Sequence, residues 1–301
     1  MTRSGRDYQT IGIEADGPLT WIVLNRPEKR NAMNGQMLTE LADAVGELGS
    51  SPEVRAIGIR GAGPSFCSGY DIGHGYAAAL ADRDSFDEWM DLRSRMDRMM
   101  TIWDCPVPVI AAVHGYCLAG ATQLCTFCDL VIVADDATIG SAGSGIGAGY
   151  VSPMYVMTVG MRRAKELGMV PGRQISGVKA VEWGWANWSV GEPSLLDEVR
   201  DVARRFALAP REIVAANKMA MNRIADMNGF RYAVAQLADI DVIAHRSAAA
   251  AAAGARLAAA GPGAVSRQLA QAIQDAPRDA ALDGARPKPG APDPDTNGVR
   301  P

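Results

Sequence analysis

The chain has 301 residues, of which 48% are hydrophobic, and a formal net charge of -4 at pH 7. This length is enough for one large domain or two smaller ones with a buried core. Because the chain has 30 basic and 34 acidic residues, the composition provides no basic field for nucleic acid or an anionic membrane. We therefore expect a globular protein with no nucleic-acid and no membrane partner, in which a few local groups hold any polyanion.

The cysteines indicate a reducing compartment. Their number, five, is odd, and residues 1–7 lead into no apolar segment, so we expect reduced thiols and a cytoplasmic protein. Cys125 and Cys128 form a lone Cys-x-x-Cys with no second pair and no nearby histidine, which favours core thiols and no metal site. The most apolar span, residues 105–133, contains two prolines, Gln123 and Asp129, and so does not resemble a membrane helix.

The first part of the chain predicts a strand, helix, strand order. Residues 10–24 alternate as two short strands around Asp16-Gly17-Pro18, and Asn34 is a candidate N-cap for a helix that ends near Leu48. A buried strand follows over residues 54–59. This order predicts an α/β fold with a parallel sheet.

Later segments are predominantly helical. The periodicity predicts an amphipathic, methionine-rich helix over residues 85–103, whose methionines we assign to core packing. It then predicts helices near residues 153–158, 162–169, 178–183 and 195–206, a short strand near 187–190, and two longer helices within 210–245. We expect a core with the functional site over residues 1–192, a helical region used in oligomerisation over 193–274, and a disordered tail over 275–301.

Two strands are each followed by a turn of small residues. Ser68-Gly69-Tyr70 comes after the strand at residues 57–60, and Ala119-Gly120-Ala121 comes after the strand at residues 109–113. Small residues at such turns often serve close packing alone. If both strands belong to one sheet, however, two peptide N–H groups converge on one oxygen and stabilise an enolate or a tetrahedral oxyanion.

Several motifs resemble the crotonase superfamily, the enoyl-CoA hydratase/isomerase-like proteins, in the family's order. They are residues 24–33, 66–72, 106–120, 128–130, 160–167 and 180–184. The resemblance implies the ClpP/crotonase-like fold, a spiral of β-β-α units with a helical C-terminal region. It also implies an acyl-CoA thioester as substrate, no cofactor apart from the coenzyme A of that substrate, and a homotrimer or a dimer of trimers.

The same resemblance assigns roles to individual residues. The backbone amides of Tyr70 and Gly120 would hold the thioester carbonyl. The segment 29–32, with Lys29, Arg30 and Ala32, would meet the adenine and phosphate end of coenzyme A, and Arg26 and Lys29 are candidate phosphate contacts. The remaining substrate-binding candidates, which border the pantetheine channel or the acyl group, are Ser68, Asp71, Ile72, Leu118, Gly143 and Ser144.

The chain departs from the typical hydratase pattern at two positions. Gln123 and Gly143 stand where hydratases carry glutamates, and neither residue exchanges a proton near neutral pH. Asp71, unless it caps its loop, and His74, unless it is an exposed loop residue, are the candidate bases. The reaction stays open among isomerisation, decarboxylation, thioester or C–C hydrolysis and slow hydration. The alternative is a non-catalytic acyl-CoA-binding or assembly subunit.

Overall fold

The computed structural model describes residues 7–72, 83–141 and 154–261, together with residues 264, 267, 268 and 271. Its strands are β1 (Ile11–Asp16), β2 (Leu19–Leu24), β3 (Ala56–Gly61), β4 (Val109–Val113), β5 (Tyr116–Leu118), β6 (Leu130–Ala134), β7 (Thr138–Gly140), β8 (Gln174–Ser176) and β9 (Trp188–Val190). Its helices are α1 (Gly35–Ser50), α2 (Ser85–Asp104), α3 (Gly120–Phe127), α4 (Tyr155–Met169), α5 (Gly177–Trp183), α6 (Leu195–Ala207), α7 (Arg211–Met227), α8 (Phe230–His245) and α9 (Ala248–Ala260).

The larger sheet has the strand order β1-β2-β3-β4-β6-β9. β1 and β2 pair antiparallel, and the other neighbours pair parallel, as the sequence predicted. Every residue of β2 and β4 is buried, which is the pattern of strands covered on both faces of a parallel sheet. Since β3 and β4 are parallel neighbours, with Ile57 opposite Val109, the loops that follow them emerge at the same edge.

Helix α1 forms where the sequence predicted it. The Asn34 side chain accepts a hydrogen bond from Met37 N–H at 2.9 Å, which satisfies one of the backbone donors left open at a helix start. The apolar face is buried along the whole helix, from Met37 to Leu48. The helix ends at Ser50, two residues later than expected.

A second, three-stranded sheet has the order β5-β7-β8 and was not predicted. Each of its strands is three residues long, too short for alternation to stand out from the surrounding sequence. β5 pairs with β7 in parallel, and β7 pairs with β8 antiparallel. This sheet supports the segment between β4 and α3, which carries the second turn.

The two helices expected at residues 153–158 and 162–169 correspond to the single helix α4, which begins at Tyr155. Gly160, at φ 76° and ψ 167°, departs from helical geometry and separates the two helical segments. Its positive φ lies in the range that glycine adopts most readily. The predicted break is therefore present at a single residue rather than as a loop.

The C-terminal part is helical, as expected, with α7 and α8 as its two longer helices. Helix α9 lies in the region predicted to be helical, but its bounds were not predicted, because its alanine-rich sequence has no strong apolar period. In α7 only Lys218 is buried. The large apolar side chains that α7 leaves exposed are Ile213, Met219, Met221, Ile224 and Met227.

His245, the last residue of α8, is buried. Its Nδ1 contacts Glu88 Oε1 of α2, and its Nε2 lies 3.8 Å from Asp241 Oδ2. Arg246 completes the cluster with a 2.7 Å ion pair to Glu88. Together with the bond from Trp89 Nε1 to Asp239 Oδ1 (2.6 Å), this cluster fastens α8 to α2.

The five cysteines are free and buried, in agreement with their assignment as core thiols. Burial raises the pKa of the Cys67 thiol to about 12 and raises the pKa of Cys125 and Cys128 well above the ordinary value. These groups are therefore protonated and unreactive near neutral pH. In the part of the chain that the structure describes, no helix is long and apolar enough to span a membrane.

Candidate active site

The two small-residue turns lie side by side at the carboxyl ends of β3 and β4. Cys67 N–H donates to the Tyr116 carbonyl at 2.9 Å, and Leu118 N–H donates to the Cys67 carbonyl at 3.1 Å. These bonds join the chain after β3 to strand β5. They hold the turn at residues 68–70 against the turn at residues 119–120.

Gly69 is required where the two turns touch. Its φ is +101°, and an added Cβ would lie 2.8 Å from the Leu118 carbonyl oxygen and 3.1 Å from the Gly120 nitrogen. A larger residue would separate the two backbones. The peptide that carries the Tyr70 amide therefore packs directly against the peptide that carries the Gly120 amide.

Gly120 is the first residue of α3, and it is buried. The N–H groups of the first helical turn have no acceptor within the helix, and the helix dipole adds partial positive charge there. The preceding residue, Ala119, has φ 50° and ψ -120°, a strained combination for a residue with a Cβ. The chain thus turns sharply to present the start of α3 to the site.

The Tyr70 side chain covers Gly120 and reaches Gln123. A Cβ on Gly120 would lie 2.7 Å from two ring carbons of Tyr70, and the Tyr70 hydroxyl donates to Gln123 Oε1 at 2.7 Å. Gln123 is fully buried, and its Nε2 lies 3.3 Å from the Met96 sulfur. The sequence placed Tyr70 in the site by its amide but did not predict this pairing of its hydroxyl with Gln123.

Two candidate residues with different predicted roles form an ion pair. Arg26 Nη2 lies 2.8 Å from Asp71 Oδ2, and the same guanidinium donates to the Ala32 carbonyl. The backbone N–H of Asp71 donates to the Met33 carbonyl at 2.9 Å. Arg26 therefore braces the loop around Ala32, and Asp71 is held at the loop rather than presented as an isolated carboxylate.

The predicted coenzyme A residues Lys29, Arg30, Ala32 and Ser68 lie together at one edge of the site. Lys29 and Arg30 are exposed, whereas Ala32 is buried. Ser68 N–H donates to the Arg30 carbonyl at 3.0 Å, which joins this loop to the first turn. Arg30 has φ 49°, and its guanidinium lies 5.7 Å from the centre of the Tyr116 ring.

Helix α2 contributes side chains that the sequence did not assign to the site. The Met99 sulfur lies 3.9 Å from the Tyr70 hydroxyl, and Met96 contacts Gln123. The Arg95 guanidinium lies 5.7 Å from the centre of the Tyr70 ring and pairs with Asp91 at 2.6 Å. The available sequence signal for this contribution was helical spacing, because residue 99 comes three positions after residue 96 and four after residue 95.

The other predicted site residues divide into two groups. Ile72 and Leu118 are half-buried beside the turns. His74, Gly143 and Ser144, as well as the tail from residue 275, lie outside the described residues. Within the described residues, no group of three histidine, cysteine, aspartate or glutamate side chains could hold a metal ion.

A sequence profile described as Enoyl-CoA hydratase/isomerase matches residues 14–239. The chain belongs to the enoyl-CoA hydratase/isomerase family, within the crotonase superfamily. It is 31% identical to the mitochondrial enoyl-CoA hydratase domain-containing protein 3 of Danio rerio, over 80% of this chain and 83% of the relative. It is 29% identical to a hydroxycinnamoyl-CoA hydratase-lyase of Pseudomonas fluorescens, over 75% and 82% of the two chains.

Solved structures of this family have the same fold. A crystal structure of an enoyl-CoA hydratase/isomerase from Xanthobacter autotrophicus superimposes with a TM-score of 0.79, at 30% identity, over 87% of this chain and 98% of the other. The crotonase fold expected from the motifs is therefore confirmed. The relatives carry names of different reactions, so membership of the family leaves the reaction of this chain to be determined.

Proposed function

We propose that this protein is an enzyme that acts on an acyl-CoA thioester and stabilises its enolate or oxyanion with the amides of Tyr70 and Gly120. The observation that carries this proposal is the close approach of the two turns, where a Cβ added to Gly69 would lie 3.1 Å from the Gly120 nitrogen. Two adjacent peptide donors in a partly buried site stabilise a developing negative charge more strongly than they do in water. Relatives named as acyl-CoA enzymes support the substrate class.

The coenzyme A end of the substrate is proposed to lie along the loop at residues 29–32. Lys29 and Arg30 are exposed cations next to Ser68, which suits contact with phosphates. Arg26 was a further phosphate candidate, but its guanidinium already binds Asp71 and Ala32. We therefore assign Arg26 to ordering the loop, and Ile72 and Leu118 to the border of the pantetheine channel.

The pairing of Gln123 with Tyr70 argues against efficient hydration. An amide exchanges no proton near neutral pH, and the Tyr70 hydroxyl proton is engaged with the Gln123 oxygen. Isomerisation, decarboxylation, and thioester or C–C hydrolysis remain the proposed reactions, beside slow hydration. A non-catalytic acyl-CoA-binding subunit is the alternative, because the same oxyanion site binds a thioester without transforming it.

The exposed apolar side chains of α7 support a contact with another subunit, and the family resemblance makes a homotrimer or a dimer of trimers the proposed assembly. Ile213, Met221, Ile224 and Met227 are each more than half exposed in the single chain. An apolar surface of this kind marks a protein contact more often than a solvated face. Sedimentation equilibrium on the full chain distinguishes these assemblies from a monomer.

A panel of acyl-CoA thioesters tests both proposed functions. Each thioester is incubated with the protein and followed by mass spectrometry, and its binding is measured by calorimetry against the matching free acid. Turnover of any thioester supports the enzyme, whereas binding without turnover supports the binding subunit. No binding by any thioester contradicts both.

Wild-type protein is expected to hydrate crotonyl-CoA poorly, and Gln123→Glu is expected to raise the rate only weakly. Each positioned acid or base contributes about 10²–10⁴ in rate, and hydration needs a proton donor as well as a base. The assay follows the loss of enoyl absorbance at equal protein loading, with Gln123→Ala as the control variant. Wild-type turnover in the range of ordinary efficient enzymes, about 10 per second or more, would contradict this expectation.

A further inference from the structure

The carbonyl oxygen of the Ala119–Gly120 peptide accepts two hydrogen bonds from Thr122. Thr122 N–H donates to the Ala119 carbonyl oxygen at 2.9 Å, and Thr122 Oγ1 lies 2.7 Å from the same oxygen. The nitrogen side of Ala119 is also fixed, because its N–H donates to the Gly140 carbonyl at 2.8 Å. Ala119 is thus bonded on both of its backbone polar groups.

A buried tyrosine extends this arrangement. The Tyr155 hydroxyl lies 3.0 Å from Thr122 Oγ1, and both side chains are buried. A threonine hydroxyl has one proton and a carbonyl oxygen only accepts, so Thr122 donates to Ala119 and Tyr155 donates to Thr122. Burial raises the pKa of Tyr155, so its hydroxyl keeps the proton that it donates.

The direction of the Ala119 carbonyl determines the direction of the Gly120 N–H. In a trans peptide the C=O and N–H groups lie in one plane and point in opposite directions, and the described residues contain no cis peptide. Pinning the carbonyl toward Thr122 therefore directs the Gly120 N–H away from Thr122. The donor proposed to stabilise the oxyanion depends on this orientation.

Ala119 would be relieved of strain if this peptide turned over. A rotation of about 180° would take Ala119 from φ 50° and ψ -120° to a ψ near +60°, close to the allowed left-handed region. Gly120, which has no Cβ, tolerates the matching change in its own φ. The turned-over peptide would lose both bonds from Thr122 and would reverse its N–H.

We propose that Thr122 and Tyr155 are positioning residues that hold the strained Ala119–Gly120 peptide with its N–H directed into the acyl-CoA site. This inference rests on the proposed function for its catalytic meaning. The geometric part, the orientation of one peptide, does not depend on any ligand.

The first test is the crystal structure of Thr122→Val, which keeps the shape of the side chain but lacks the hydroxyl. We expect ψ of Ala119 near +60°, because loss of one ordinary hydrogen bond shifts such an equilibrium by about tenfold and the strain favours the same direction. Thr122→Ser restores the hydroxyl and should keep ψ near that of the wild type, -120°. A Thr122→Val structure with an unchanged Ala119 ψ would overturn the proposal.

The second test measures the effect on a bound thioester. The probe is 4-(dimethylamino)cinnamoyl-CoA, whose absorption moves to longer wavelength when hydrogen bonds polarise its carbonyl. Thr122→Val should lose most of the shift seen with wild type while its calorimetric affinity changes little, and Thr122→Ser should recover the shift. An equal shift in Thr122→Val and wild type would overturn the positioning role.

Tyr155→Phe refines the second test. It should reduce the shift less than Thr122→Val does, because Thr122 still donates to Ala119, and the double variant should resemble Thr122→Val. A larger loss in Tyr155→Phe than in Thr122→Val would contradict the order of the bonds. Absence of probe binding by wild type would count against the proposed function, whereas the crystal structure would still decide the positioning role.

Discussion

Replacing Lys218 with methionine is expected to lower the free energy of unfolding by about 3–5 kcal/mol near pH 7. Lys218 Nζ lies 2.6 Å from Asp129 Oδ2 and 3.2 Å from the carbonyl oxygens of both Ile102 and Val107. Methionine takes the ammonium away from both carbonyls and from this mostly buried carboxylate, which keeps Val109 N–H as a donor but loses its opposite charge. Urea unfolding of wild type and variant, followed by circular dichroism, measures the difference.

The matched control is the double variant Lys218→Met with Asp129→Asn. In the wild type, Asp129 Oδ2 accepts a hydrogen bond from Val109 N–H at 2.7 Å, and the Asn side-chain oxygen can accept the same bond. Neither member of the former ion pair then carries a charge. We expect the double variant to regain most of the lost stability, since neutral replacement of both partners of a buried ion pair is often tolerated. A double variant no more stable than Lys218→Met would show that packing, not charge, carries the effect.

The loss in Lys218→Met should also depend on pH. Burial raises the pKa of Asp129, and the Lys218 ammonium and Val109 N–H oppose this rise. Without Lys218, the pKa of Asp129 in the folded variant rises further above the pKa of Asp129 in the unfolded chain. An acid with a raised folded pKa favours folding when protonated and loses that contribution as pH increases. The stability deficit should therefore be smaller at about pH 5 than at about pH 7.

Replacing Gly120 with proline is expected to lower kcat by roughly 10²–10³ on whichever thioester the panel identifies. Proline has no N–H and so removes one proposed oxyanion donor, while the first position of a helix tolerates proline. The measurement is kcat and KM under equal protein loading, with the melting temperature of each variant recorded. Full activity in Gly120→Pro would exclude this amide as a donor.

Gly120→Ala is the control for the steric part of that change. An added Cβ would lie 2.7 Å from the Tyr70 ring, so alanine also displaces the ring, but it keeps the N–H. We expect Gly120→Ala to keep much more activity than Gly120→Pro. Equal losses in the two variants would assign the effect to displacement of Tyr70 and its bond to Gln123.

Patterns along the chain predicted the fold class and the two turns that form the candidate site. The cap at Asn34, the buried strands and the turns around Gly69 and Gly120 depend on residues close in sequence. Local rules of capping, periodicity and chain reversal therefore sufficed to place them. The motifs that resemble the crotonase superfamily added the family, which the comparisons with known proteins confirmed.

The polar pairings that complete the site and the core depended on the tertiary structure. Tyr70 meets Gln123 across 53 positions, Thr122 meets Tyr155 across 33, and Lys218 meets Asp129 across 89. No local period links such residues, because they meet only when separate helices and loops pack on one sheet. A buried polar group must find a partner wherever the folded chain brings one within reach, and packing decided which partner each of these groups has.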